Sequence, residues 1–242
     1  MRKNFFIFFM LVAVVLSFVG CKKKAAESEA EAYAVNHKIE VDSEGTIIET
    51  LVEKFEKDYY SKEELTAFVG EEIGEYSKKA GVNKIAISGL EESDDKISLE
   101  MRYEAYEDYA AFNDVVLFVG TISEAISAGY DFDAGFDQIS KGKVKAEGVK
   151  ADVIMALGAD CSVVITNQAV KVMTPSNITY ISQNAAIAGK KAARVDDENA
   201  TEQRGTAEDT TAASEETDGS DVIQSQQNQV ETNEKLAYII YK

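Results

Sequence analysis

The last eight residues, "KLAYIIYK" (235–242), constrain what this chain can fold into more than any other stretch. In an extended strand Leu236, Tyr238 and Ile240 fall on one face, and Ala237, Ile239 and Tyr241 on the other. Both faces are apolar, so the run is stable only where both are covered, and left exposed it would be an aggregation site. Ahead of it, residues 196–234 hold 12 acidic residues against one Arg, with Val222, Ile223 and Val230 as their strong apolar residues. Such a segment buries too little surface to offset its ordering entropy and is expected to be disordered. Residues 235–242 are therefore expected to return as a strand into a domain at 37–195, which makes the acidic segment a long surface loop.

Within 37–195 the best-defined element is "SKEELTAFVGEEIGEYSKKA", Ser61 to Ala80. Leu65, Phe68, Val69, Ile73 and Tyr76 recur at helical spacing, Ser61 and Glu64 have capping-box spacing, and Gly81 follows as a stop. Residues 83–88 and "KISLEMRY" read as an antiparallel hairpin around the turn "EESDD". In the second arm Ile97, Leu99, Met101 and Tyr103 point inward. Upstream, "HKIEVDSEGTIIETLVEKF" suggests another hairpin turning near Glu44-Gly45. Its second arm also fits a helix, but β-branched content favours a strand. Short helices are expected at 104–113 and 121–128, and strands at 115–120, 162–166, 169–173 and 177–182. The expected class is α+β, with one main amphipathic helix on a mostly antiparallel sheet.

The N-terminus has the form of a targeting segment. Arg2 and Lys3 precede an apolar run from Phe5 to Val19, which is short for a bilayer span and suits a signal-peptide core. A short membrane anchor is the alternative. The run ends in Phe18-Val19-Gly20-Cys21, which resembles the lipobox of bacterial lipoproteins, with Phe18 where Leu is usual. The resemblance implies that residues 1–20 are removed by a type II signal peptidase. Cys21 would then be lipidated as the new N-terminus, and 21–36 would form the tether. The acyl chains would hold the protein to the extracytoplasmic face of a cell membrane, since each buried CH₂ contributes about 0.8 kcal/mol. Together with "DYYSKEEL" (Asp58–Leu65) and the terminal "AYIIYK", the lipobox also gives a loose resemblance to small α+β lipoproteins of clostridial anaerobes.

Reactive constellations are sparse. The formal charge of -18 opposes phosphate backbones, and no basic stripe with interleaved aromatics is present, so nucleic-acid binding is not expected. His37 is the only histidine, placed at the junction of tether and domain, and Cys161 would be its partner in a Cys-His dyad. A buried, inert Cys161 without a disulfide is the better expectation. "YDFDAGFDQISKG" (Tyr130–Gly142) puts Asp131, Asp133 and Asp137 at positions one, three and seven of an EF-hand-like loop. Gly135, Phe136 and Gly142 stand where a donor, a Gly and a Glu belong. An acidic turn with Phe132 and Phe136 packed inward is expected, and no metal. Tyr103, Tyr106, Tyr109 and Phe112 could line a groove, although their spacing suits a core face. "GEEIGEYSKKAG" lacks the Lys-Ser/Thr of a phosphate loop, and no cofactor is implied.

The expected function is thus a lipid-anchored, non-enzymatic binding or envelope-assembly module with an envelope protein as partner. A small-ligand lipoprotein serving a transporter is the alternative, and an enzyme using Asp131 or Asp133 comes third.

Overall fold

The computed structural model describes residues 36–55, 61–81, 83–93, 95–195 and 236–242. The expected leader, the Cys21 expected to carry lipid, most of the expected tether and the acidic segment lie outside them. Thirteen strands and four α-helices are present among the described residues.

The first sheet is built from β1 (His37–Val41), β2 (Ile47–Lys54), β3 (Ile85–Ser93), β4 (Lys96–Tyr103), β9 (Lys171–Met173), β11 (Ala185–Ile187) and β12 (Ala192–Val195), in the order β11-β12-β9-β1-β2-β4-β3. It is mixed, because β1 pairs antiparallel with β2 and parallel with β9. The second sheet contains β5 (Leu117–Thr121), β6 (Phe136–Ser140), β7 (Lys143–Val149), β8 (Ser162–Thr166), β10 (Ile178–Ser182) and β13 (Ala237–Tyr241). Its order is β5-β8-β13-β10-β6-β7, and every pair in it is antiparallel. The class is α+β, but two sheets replace the single sheet expected. The difference follows from the unbroken apolar run in β8, "SVVIT", and the two-faced β13, which need cover on both sides.

One core cluster joins Ile39, Val41, Ile47, Leu99 and Met101 of the first sheet to Val164, Ala237, Ile239 and Tyr241 of the second. On the far face of the second sheet Val163, Ile165, Tyr238 and Ile240 pack with Phe118, Phe132, Phe136 and Ile154. That face is covered by the short helices α3 (Ile122–Ser127) and α4 (Ala151–Met155). The remaining helices are α1 (Lys62–Ala80) and α2 (Tyr106–Asn113).

α1 starts and stops as its sequence requires. The Ser61 hydroxyl accepts from the Glu64 N–H, and Gly81 closes the helix at φ +76°. Only Val69 of its apolar stripe is fully buried; Leu65, Phe68, Ile73 and Tyr76 lie half-buried against the core. The β1–β2 hairpin turns at Gly45, φ +86°, and the second arm is a strand. β4 buries Ile97, Leu99, Met101 and Tyr103 as expected.

Several expectations need correction. β3 continues through Ser93, so "EES" belongs to the strand and the turn is tighter than expected. A register shift between Ile87 and Gly89 accommodates the extension. The stretch from Phe136 is no acidic turn but β6, paired with a mostly exposed β7 whose polar composition hid it. β11, β12 and α4 were also unforeseen, all being five residues or shorter and the two strands largely Ala.

Ile239 is completely buried in β13 between its two neighbours. Ile239→Ala should lower unfolding stability by about 2–5 kcal/mol, read from urea titration. Removal of 236–242 should abolish the cooperative transition, and an unchanged midpoint would contradict the placement of β13.

Candidate functional site

Alternation along three neighbouring strands aims polar side chains into the interior beside the core. In β1 the inward positions are His37, Ile39 and Val41; in β2 they include Ile47 and Glu49; in β4 they include Met101 and Tyr103. Ile39 faces Glu49, and Ile47 faces Tyr103. His37, Glu49 and Tyr103 therefore meet diagonally on one face. α2 adds Tyr109 and Asn113, and the β8–β9 connection adds Gln168.

These six side chains form one hydrogen-bonded network, and each is at least 92% buried. His37 Nε2 lies 2.8 Å from Glu49 Oε1, so with the carboxylate ionised this nitrogen carries the proton. Tyr103 donates its hydroxyl to Glu49 Oε2 at 2.6 Å, and Asn113 Nδ2 donates to the Tyr103 oxygen at 3.3 Å. Tyr109 donates to Gln168 Oε1 at 2.9 Å and stands 3.3 Å from Glu49 Oε1. The Tyr103 and Tyr109 rings meet edge to face at 4.9 Å. Burial, reinforced by the Glu49 charge, pushes the Tyr103 phenol well above its usual pKa.

A second polar contact lies on the same helix. Asp108 accepts from the Tyr76 hydroxyl at 3.0 Å, and Lys84 Nζ lies 3.6 Å from its other oxygen. Burial and this carboxylate raise Tyr76 to about 12.

Chemically, the network can hold a charge pair and orient phenols, but its members face one another rather than a cleft. His37 is thus not at the edge of the domain, as its sequence position suggested, but inside β1. Cys161 is buried in the other cluster, on the far face of the second sheet, so the two members of the considered dyad are not brought together. Burial also raises the Cys161 thiol above its usual pKa, the opposite of an activated nucleophile.

The acidic trio is dispersed in role. Asp131 Oδ1 accepts from the Asp133 N–H in a local turn, while Asp137 lies in β6 and accepts from the Gly148 N–H. Among the described residues no group of three His, Cys, Asp or Glu side chains is placed to hold a metal ion. Phe132 and Phe136 do pack inward. The aromatic series divides: Tyr103 and Tyr109 join the network, Phe112 packs on Tyr76 and Tyr103, and Tyr106 packs on Phe118.

Sequence reasoning missed Glu49, Asn113 and Gln168. The signal for Glu49 was available, because a strand through 47–54 puts it on the same face as Ile47. The placement of Gln168 depends on a chain crossing that no local pattern encodes.

No protein-family model, curated protein or solved structure matches the chain.

Two outcomes follow from the network. Glu49→Ala leaves buried donors without their acceptor and should cost about 3–5 kcal/mol, whereas Tyr103→Phe should cost about 1–3 kcal/mol in the same urea titration. A phenol whose folded pKa is raised contributes stability that is complete below the unfolded value near 10 and is lost as pH climbs toward the folded one. Unfolding stability should therefore fall above about pH 10, and less steeply in Tyr103→Phe. Identical alkaline limbs would exclude Tyr103 as a contributor.

Proposed function

We propose that this chain is a lipid-anchored lipoprotein of the extracytoplasmic membrane face, acting as a non-enzymatic binding or envelope-assembly module. The observation that carries the reading is the sequence Gly20-Cys21 at the end of a 15-residue apolar run and immediately before Lys22, Lys23 and Lys24. Positive n-region, apolar length and cysteine position all agree with lipidation. Residues 21–36 then make a tether, spanning on the order of 20 Å if flexible, to the first strand at His37.

The non-enzymatic part of the reading is supported by how the titratable side chains are used. His37, Glu49, Tyr103 and Tyr109 hydrogen-bond within a closed network, and Asp131, Asp133 and Asp137 serve local turn and strand contacts. Recognition then falls to strand edges, turns and the acidic 196–234 segment, a surface loop in this reading. An envelope protein is the partner class that such surfaces fit, and nucleic acid is disfavoured by the net charge.

Metabolic labelling with an alkyne fatty acid tests the anchor. Label should enter the wild-type protein and vanish in Cys21→Ser. An unlabelled wild type would replace this reading with a secreted protein or an uncleaved membrane anchor.

A further inference from the structure

The described chain carries its charge unevenly. Residues 161–195 contain Lys171, Lys190, Lys191 and Arg194 but no Asp or Glu, although the whole chain has a formal charge of -18. The β6–β7 turn brings more cations to this side. Ser140 pairs with Lys143 across a two-residue loop, and both loop residues, Lys141 and Gly142, have positive φ, at 54° and 74°. Primed hairpin turns of this kind favour Asn-Gly or Gly-Gly. A lysine at the first position carries a left-handed backbone penalty of about 1–2 kcal/mol, which a turn selected for geometry alone would avoid.

Gly142 explains what the turn touches. A Cβ built on it would lie 3.1 Å from the Lys190 nitrogen and 3.2 Å from the Gly189 carbonyl carbon. The glycine thus lets the β6–β7 turn abut the β11–β12 turn, whose position is fixed by the Ile178 N–H donating to the Lys190 carbonyl at 2.8 Å. Between them lies a concavity of about 260 Å³ lined by Ser140, Lys141, Asn177, Thr179 and Lys190, with the Ile139 and Ile178 strands behind. None of the lining residues is acidic. The Thr179 hydroxyl donates to the Ile240 carbonyl, whereas Ser140, Lys141, Asn177 and Lys190 are solvent-exposed at the rim.

We propose that this concavity binds a phosphate group. Both cations are lysines, which bind phosphate as compact point charges with three rotatable donors each. Beyond about 8 Å the acids elsewhere on the molecule are largely screened at physiological ionic strength, so the local field decides. The proposal does not depend on lipidation of Cys21.

Calorimetric titration of the full chain in non-ionic detergent with inorganic pyrophosphate is the test. Saturable binding should weaken about tenfold or more in the Lys141→Gln/Lys190→Gln double variant. It should be unchanged in Lys96→Gln, which lies beside Glu91 and Asp95 at another concavity. Thermal melts establish that both variants fold. A second arm titrates a soluble short-chain phosphatidylglycerol: binding that pyrophosphate displaces, and that the double variant loses, assigns the phosphate to a lipid headgroup. The proposal is overturned by an absence of binding to either probe at millimolar concentration, or by equal binding in wild type and double variant. Binding that emerges only after removal of residues 198–232 also overturns it, because the native face would then be closed to external phosphate.

Discussion

Burial of both faces of β13 is the constraint on which the rest of the structure depends. In the order β5-β8-β13-β10-β6-β7 this strand joins two halves of a sheet that make no other pairing with each other. Ala237, Ile239 and Tyr241 contribute to the core between the sheets, while Tyr238 and Ile240 contribute to the core beneath α3 and α4. The last strand in sequence therefore completes both cores at once. Its β8 partner supplies residues over a long sequence separation, so closure entropy opposes this pairing until the apolar faces are covered. Polar anchors at its start fix the register: the Tyr238 N–H donates to the Ser182 hydroxyl, and its phenol donates to the Asp131 carbonyl. Slipping by one residue would exchange the two faces and leave Tyr238 aimed at the wrong core.

The buried polar network acts on the first sheet in a comparable way. Desolvation of the Glu49 carboxylate costs several kcal/mol, and His37, Tyr103 and Tyr109 offset that cost only when all converge on it. Such a cluster is poor evidence for net stability, but it discriminates strongly between registers. If β2 shifted by one residue, Glu49 would face outward and the His37 and Tyr103 groups would be buried without their acceptor. The members come from both arms of the β1–β2 hairpin, from β4, from α2 and from the connection leaving β8. Their agreement fixes how the two sheets meet.

What the sequence made legible divides along the same line. Local periodicity located α1 with its cap, the alternation of β4, the short helix following Thr121 and the strand character of β13, because each is set by residues near one another in the chain. The existence of a second sheet was not legible, since it depends on which apolar strands meet across long separations. β7 escaped notice for a physical reason: "KVKAEGV" is mostly exposed on both faces, and the non-polar side of its alternation holds only Val144, Ala146 and Gly148, too little to mark a buried face. His37 looked peripheral because only its sequence neighbours were visible, whereas its environment is made by Glu49 and Tyr109.

The lysines near β7 have two roles that position separates. β7 is the edge of the second sheet, and Lys143 and Lys145 along it discourage pairing with another chain. Edge protection accounts for charges on the strand, where an incoming backbone would have to lie. It does not account for Lys141, which occupies a left-handed turn position that glycine or asparagine would fill at less cost, nor for Lys190, which belongs to the other sheet's β11–β12 turn. Those two cations come together only because Gly142 permits the turns to touch. With the inward faces of both sheets committed to packing, the junction of these turns is where the fold gathers positive charge around a concavity on an otherwise acidic protein.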